Sequence, residues 1–292
     1  MPYRSLTAEF SNLSALIANI DWLIELATLK LSTMDLGRLN LLLALIASTL
    51  SPCLCAENNS ATTNYSARAG TDFVAYAKSN FDEARNHYNK RSRSAEDTWQ
   101  FARAAFDLAE YATNNSERVE IAEQGIAACR QLLATGSNSA PAHYYLAMNL
   151  GQVARTKGLG ALRIVNEMER EFIAARALDE HFDNAGPDRC LGLLYLDAPS
   201  IGSVGSRRKA RAHLQRAAEL DGNLPENRLN LIEAYVKWGD KADARRELKT
   251  LQETWPAARS KWTGRAWASS WADWEERLKI LKKRLEEPRQ KD

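Results

Sequence analysis

The feature that most restricts how this chain can fold is an internal repeat. From Pro225 the stretch PENRLNLIEAYVKWGDKADARRELKTLQETWP reads as one helical hairpin. Leu231 and Tyr235 are four residues apart and so share a helix face. Gly239-Asp240 marks a tight turn, and Ala244 is small enough to let the returning helix come close. Leu248 supplies the large residue opposite, and Pro256 is expected to stop the second helix. The preceding stretch has the same layout, with Leu191-Gly192 and Tyr195 followed by Ala210, Leu214, Ala217, Leu220 and Asp221. One unit earlier, Leu146-Ala147 and Leu150 precede Phe172, Ala175, Leu178 and Asp179. A fainter unit opens near Ala95, with Phe101-Ala102 and then Ala122, Ile126 and Cys129. Starts at 95, 140, 185 and 225 are 45, 45 and 40 residues apart. Such a unit cannot bury its apolar face alone, so the units are expected to stack.

The fold class this implies is all-α: a solenoid of antiparallel helix hairpins with extended loops between the helices and helical caps. Its span is 71–292, with units near 95–139, 140–184, 185–224 and 225–256 and a C-terminal cap over 257–292. No alternating strand pattern interrupts the helical periodicity from Thr71 onward. Two hairpins are stretched, around Thr156 to Gly160 and through LDAPSIGSVGSRRK, where a flexible loop is expected. Residues 71–90, with Phe73, Tyr76, Ala77, Phe81 and Ala84, form an amphipathic helix ahead of the array. At the far end Trp271, Trp274, Leu278 and Leu281 share one face, as a cap over the last hairpin requires; Trp262 and Trp267 precede them. Residues 57–70 are polar and read as a linker.

The N-terminal part reads as an address. Leu41 to Leu50 is an uncharged apolar run preceded by Arg38 and followed by Pro52, Cys53, Leu54, Cys55 and Ala56. It is too short to span a bilayer and suits the core of a secretory signal, so 34–56 is expected to be a signal peptide and the protein exported and periplasmic. Residues 1–33 hold Asp21, Glu25 and Lys30 in an otherwise apolar stretch, and read either as an extension from a mis-called start or as an amphipathic helix. Cys53 leaves lipidation, and with it envelope attachment, open. Outside that segment the cysteines are Cys129 and Cys190, in apolar helical stretches where Cys is a small buried hydrophobe; a disulfide between them is permitted but not implied.

Charge excludes one class of partner. Lys plus Arg total 39 against 37 Asp plus Glu, so nothing favours nucleic acid. Nor does any enzyme signature appear: no nucleophile elbow, zinc-protease helix, phosphate loop or dinucleotide fingerprint. The histidines His87, His143, His181 and His213 are scattered, and Asp179-Glu180-His181-Phe182-Asp183 is a junction rather than a metal site. The expectation is a protein without enzymatic activity, cofactor or metal. A helical solenoid binds through the surface of its successive first helices. The groove candidates there are Tyr144, Tyr145, Asn149, Gln152 and Arg155, then Asp188, Arg189 and Asp197, then Arg228, Asn230, Glu233 and Lys237. Each of these has a second reading as a solvated or interhelix-packing residue.

On these residues, the stretch from about 95 to 256 resembles tetratricopeptide repeat (TPR) proteins. The segment LGLLYLDAPSIGSVGSRRKARAHLQRAAELD, with the address and the stretched hairpins, is similar to the T-component family of TRAP transporters. That resemblance implies an extracytoplasmic accessory of an uptake system, a periplasmic substrate-binding protein as partner, a small-molecule ligand and a homo-oligomer. The alternative is a general protein-interaction scaffold in the cell envelope that binds no small molecule.

Overall fold

The computed structural model describes residues 62–157 and 160–286. The proposed upstream extension, the signal segment with Cys53 and Cys55, and the expectation of export all fall outside these residues. From Phe73 onward the described residues form one compact unit, which holds every helix after the first.

Ten α-helices make up the described chain, with no strand among the described residues. They are α1 (Thr62–Tyr88), α2 (Ala95–Ala109), α3 (Asn115–Ala134), α4 (Ala140–Ala154), α5 (Ala161–Leu178), α6 (Phe182–Asp197), α7 (Arg207–Leu220), α8 (Pro225–Trp238), α9 (Lys241–Lys261) and α10 (Ala268–Glu286). A short 3-10 turn, Arg265–Trp267, leads into α10. None of the described helices is long and apolar enough to cross a membrane.

Local chemistry sets the helix starts. Ser94 caps α2 by accepting from the Asp97 amide at 3.0 Å; the Ser94 amide at 2.7 Å and hydroxyl at 2.8 Å donate to Asp97 Oδ2, and these last two bonds hold the Asp97 carboxyl below its usual range. Asn114, Ser139 and Ser206 play the same capping part at α3, α4 and α7. Pro225 sits in the first turn of α8, where its missing N–H has no partner to lose. At the other end of α8, Gly239 adopts φ 79°, and the Asp240 amide donates back to the Tyr235 carbonyl at 2.9 Å.

The helices pair as α2·α3, α4·α5, α6·α7 and α8·α9, each the hairpin expected of a solenoid. The first helices also touch in sequence, α2 to α4, α4 to α6, α6 to α8 and α8 to α10, and so form one layer with α3, α5, α7 and α9 behind it. Small residues allow these crossings. Ala102, Ala147 and Gly192 occupy corresponding positions in α2, α4 and α6, and a Cβ at Gly192 would lie 2.6 Å from Leu214 Cγ of α7. Phe172, Ala175, Leu214, Ala217, Ala244 and Leu248 from the second helices are all buried against this layer. α1 lays Phe81 and Tyr88 on Phe101 of α2, with ring centroids 5.4 and 4.7 Å apart.

Two expectations give way here. Residues from Thr62 are helical, so the segment read as a 57–70 linker is, from that point, the first part of α1. And α9 runs through Pro256 to Lys261. Proline inside a helix costs about 3 kcal/mol, yet the turn beyond it carries Ala258, 2% exposed, and Arg259, whose guanidinium lies 4.3 Å from the Trp271 ring. Trp255 meets the same ring edge-on at 5.3 Å. Packing on α10 outweighs the proline penalty, and Pro256 and Gln252 are both exposed, so the carbonyl that loses its partner can turn to water. The other tryptophans of the C-terminal cap cluster with these: Trp262 on Trp267, Trp267 on Trp274 and Trp271 on Trp274, with Trp274 fully buried. The loop from Ala198 to Ser206 is held at its neck rather than loose. The Gly205 amide donates to the Pro199 carbonyl and the Ser206 amide to the Tyr195 carbonyl, both at 2.9 Å.

Candidate functional site

The layer of first helices carries most of the buried polar groups of the described chain, and three groupings stand out. The first is aromatic. Trp99 of α2 stacks on Tyr145 of α4 with centroids 5.9 Å apart, and Phe182 at the start of α6 meets both edge-on. Tyr144 joins through Tyr145, Phe172 and Phe182, and the Arg103 guanidinium lies 5.9 Å over the Tyr145 ring.

The second adjoins it. Asp183, Asn184 and Ala185 all have positive φ, 56°, 56° and 62°, and so make a left-handed turn before α6 straightens. Asp and Asn tolerate that region; alanine costs about 1–2 kcal/mol there. Arg189, 1% exposed, holds the turn by donating to Asp183 Oδ2 at 2.9 Å, to the Asn184 carbonyl at 3.2 Å and to Asn227 Oδ1 of α8 at 3.0 Å. Asn227 in turn donates to the Asn184 carbonyl at 3.0 Å, and the Tyr144 hydroxyl donates to Asp183 Oδ2 at 2.8 Å. Strain of this kind persists only where its surroundings over-determine it.

The third is a set of three polar side-chain pairs at one repeat position. His143, Asp188 and Arg228 stand at the same position of their helices, four residues before Ala147, Gly192 and Ile232 respectively. Their partners, Glu171, His213 and Glu247, each stand immediately before the large apolar residue of the second helix. The pairs measure 2.6, 2.6 and 2.7 Å. Burial pushes the Asp188 carboxyl up, but hydrogen bonds from His213 and Arg176 prevail and hold it below its usual range. The junction expected to be polar rather than metal-binding contributes to these networks: Asp183 pairs with Arg189, and Glu180 with Arg216. Among the described residues no group of His, Cys, Asp and Glu is arranged to hold a metal.

The twelve groove candidates therefore find partners on neighbouring helices. Tyr144, Tyr145, Asn149, Gln152, Asp188, Arg189 and Asn230 are all at most 1% exposed. Asn149 donates to the Ala102 carbonyl of α2 at 2.8 Å, and Gln152 and Arg155 both bind Glu110. Asp197 pairs with Lys237 at 2.9 Å and Arg228 with Glu247. Glu233 and Asn230 both receive from Arg277 of α10, which also meets Glu226 at 3.0 Å. These side chains bind helix to helix: a polar group inside a repeat layer must be satisfied by its neighbours. Sequence reasoning missed Trp99, Arg103, Asp183, Asn227 and Arg277. The run Asp183-Asn184-Ala185-Gly186-Pro187 was a usable signal, since Asp-Asn favours a left-handed turn and Pro187 suits a helix start. Cys129 and Cys190 are free and buried, and burial pushes the Cys129 thiol up to about 12.

What fold and site define is a stacked array of helical hairpins with a polar, aromatic first-helix layer. Over residues 69–178, which run from α1 to the end of α5, the chain matches the family described as regulator of microtubule dynamics protein 1-3. The match covers well under half of the chain, and states what that part is similar to. A comparison with curated proteins finds no match. The family match corrects both resemblances drawn from the sequence: the matched family is neither the TPR family nor the T-component family of TRAP transporters. The transport-accessory function and its periplasmic substrate-binding partner fall with them. The reason is physical. A small residue at a crossing, a glycine turn and a large residue opposite describe how any helical hairpin packs, and so carry fold rather than family. The match suggests protein interaction in general, with no nucleic-acid, ligand or periplasmic partner shown.

Proposed function

We propose that the chain is a helical-hairpin interaction module without enzymatic activity, acting through a protein partner in the control of microtubule dynamics. The observation that carries this is the similarity of residues 69–178 to the regulator of microtubule dynamics family, because the matched span holds two whole hairpins and the aromatic pair Trp99–Tyr145. Fold alone would leave the partner open, since hairpin arrays serve many. Trp99, Arg103 and Phe182 are the members of the aromatic grouping that are partly exposed, and Trp99 and Arg103 offer the aromatic and arginine anchors that protein contacts favour.

The test is direct observation of growing and shrinking microtubules with and without the full chain. A concentration-dependent change in growth rate or catastrophe frequency, reduced by Trp99→Ala with Arg103→Ala in a variant of unchanged helix content, is the expected result. Microtubules indifferent to the wild-type chain at micromolar concentration would refute a direct role. Capture of a soluble tubulin dimer without effect on polymer would move the partner from microtubule to tubulin.

A further inference from the structure

A cleft where α1, α2 and the entry to α10 meet takes no part in the three groupings of the first-helix layer. Its walls are rings: Phe73 and Tyr76 from α1, Phe106 from α2 and Tyr111 in the turn just beyond it. Two carboxylates, Asp107 and Glu110, share it. Arg265, an exposed residue, stands at the mouth with its guanidinium 5.0 Å from the Tyr76 centroid. A hydrogen bond of 3.3 Å between Tyr111 Oη and Ser269 Oγ joins the two sides.

The charges in the cleft are unevenly satisfied. Glu110 is engaged by Arg155 and Gln152 of α4. Arg103 reaches Asp107 only at 3.9 Å, one helical turn away. Loss of water pushes the Asp107 carboxyl up to about 6, with Asp183 and Glu110 adding to the rise, and outweighs the pull of the positive charge near it. Aromatic faces present negative potential, so rings and carboxylates together favour a cation and disfavour an anion. Arg265 on Tyr76 shows one ring face already used in this way, by a side chain at the surface that a competing cation could displace.

We propose that this cleft binds an ammonium group, which displaces Arg265 from the Tyr76 ring and sits between that ring and the Asp107 carboxylate. The ammonium belongs either to a small free amine or to a lysine side chain of a bound protein, and the chemistry of recognition is the same. The site shares Arg103 with the microtubule reading, but the proposal does not rest on that reading, and its own variants, Asp107→Asn and Arg265→Ala, leave Trp99 and Arg103 untouched.

Calorimetric titration of the full chain at pH 7.5 tests this with two probes, butylammonium and an N-acetyl-lysine amide, and with butanol as the uncharged control. Butylammonium or the lysine amide is expected to bind and butanol not to. Binding by the lysine amide alone assigns the site to protein lysines, by butylammonium alone to small amines, and by both to the ammonium group as such. Asp107→Asn is expected to weaken binding by about tenfold. Arg265→Ala is expected to tighten it several-fold, because it removes the internal competitor, an outcome that misfolding cannot imitate. At pH 5, below the Asp107 value, affinity falls, while Glu110, Arg103 and Arg265 also face the site. Equal binding of butanol, no binding of either amine, or unchanged or weaker binding by Arg265→Ala would overturn the proposal.

Discussion

A single methyl group at Gly192 should cost the fold about 2 kcal/mol. The Cβ of alanine there would lie 2.6 Å from Leu214 Cγ, 2.7 Å from its Cδ2 and 3.0 Å from its backbone nitrogen. Leu214 is completely buried, so its side chain has nowhere to swing, and the backbone contact is relieved only if α6 and α7 separate. Overpacking of this kind costs roughly 1–3 kcal/mol, here near the upper end because backbone is involved. The better helix propensity of alanine returns about 1 kcal/mol. Leu214→Ala alone should cost roughly 2–5 kcal/mol through the cavity it leaves. In the double variant the new methyl group fills part of that cavity, so the two costs should fall short of additivity by about 1 kcal/mol or more. Urea unfolding followed by tryptophan fluorescence and by helix content measures all four corners of the cycle. A neutral Gly192→Ala, or costs that add to within about 0.5 kcal/mol, would show that close approach of α6 and α7 at this position is not what the glycine provides.

Three further outcomes are expected. Arg189→Met should destabilise by roughly 3–5 kcal/mol in the same denaturation assay, since it strips Asp183 of its buried cation and the left-handed turn of its clamp. Asp273, whose carboxyl burial raises from 3.8 to about 6 despite Arg277 beside it and with Glu226 and Glu233 nearby, binds its proton more tightly folded than unfolded. Its contribution therefore lowers stability as pH climbs from about 4 to about 6 and is level above. Asp273→Asn should then stabilise by about 1–2 kcal/mol at pH 8 and have little effect at pH 4, as unfolding curves at the two values will show. In a Cys53→Ser, Cys55→Ser background, Cys129 and Cys190 should resist an aromatic disulfide reagent in the native protein and react at once in 6 M urea, a range about sufficient to unfold a domain.

The hairpins were legible because each packing contact leaves its mark on residue size. Ala147, Gly192 and Ala244 are small where helices cross, Leu214 and Leu248 are large where the space between them must be filled, and Gly239 takes the positive φ its turn needs. What could not be read was the outcome of competitions between local preference and contact at a distance. Pro256 carries a strong local stop signal, and only the ring of Trp271, fifteen residues on, explains why the helix ignores it. The polar residues of the first helices posed the same difficulty: Asn149, Asp188 and Arg189 look in sequence like a recognition surface. Their partners Ala102, His213 and Asn227 lie 25 to 47 residues away along the chain, and no local pattern announces them.

The side-chain pairs His143–Glu171, Asp188–His213 and Arg228–Glu247 each lie within one hairpin, whereas Asn149 to Ala102 and Arg189 to Asn227 run from one hairpin to the next, and Arg277 to Glu226 from the terminal helix to the last hairpin. Under tension applied at the chain ends these two kinds of link bear load differently. Those between hairpins are strained as neighbouring units peel apart, and those within a hairpin are strained only once its two helices unzip. Extension should therefore proceed in discrete steps of one hairpin, each about 40 residues and so on the order of 130–140 Å of released chain. An array built this way yields to a pull in instalments, shedding a hairpin while the others stay folded.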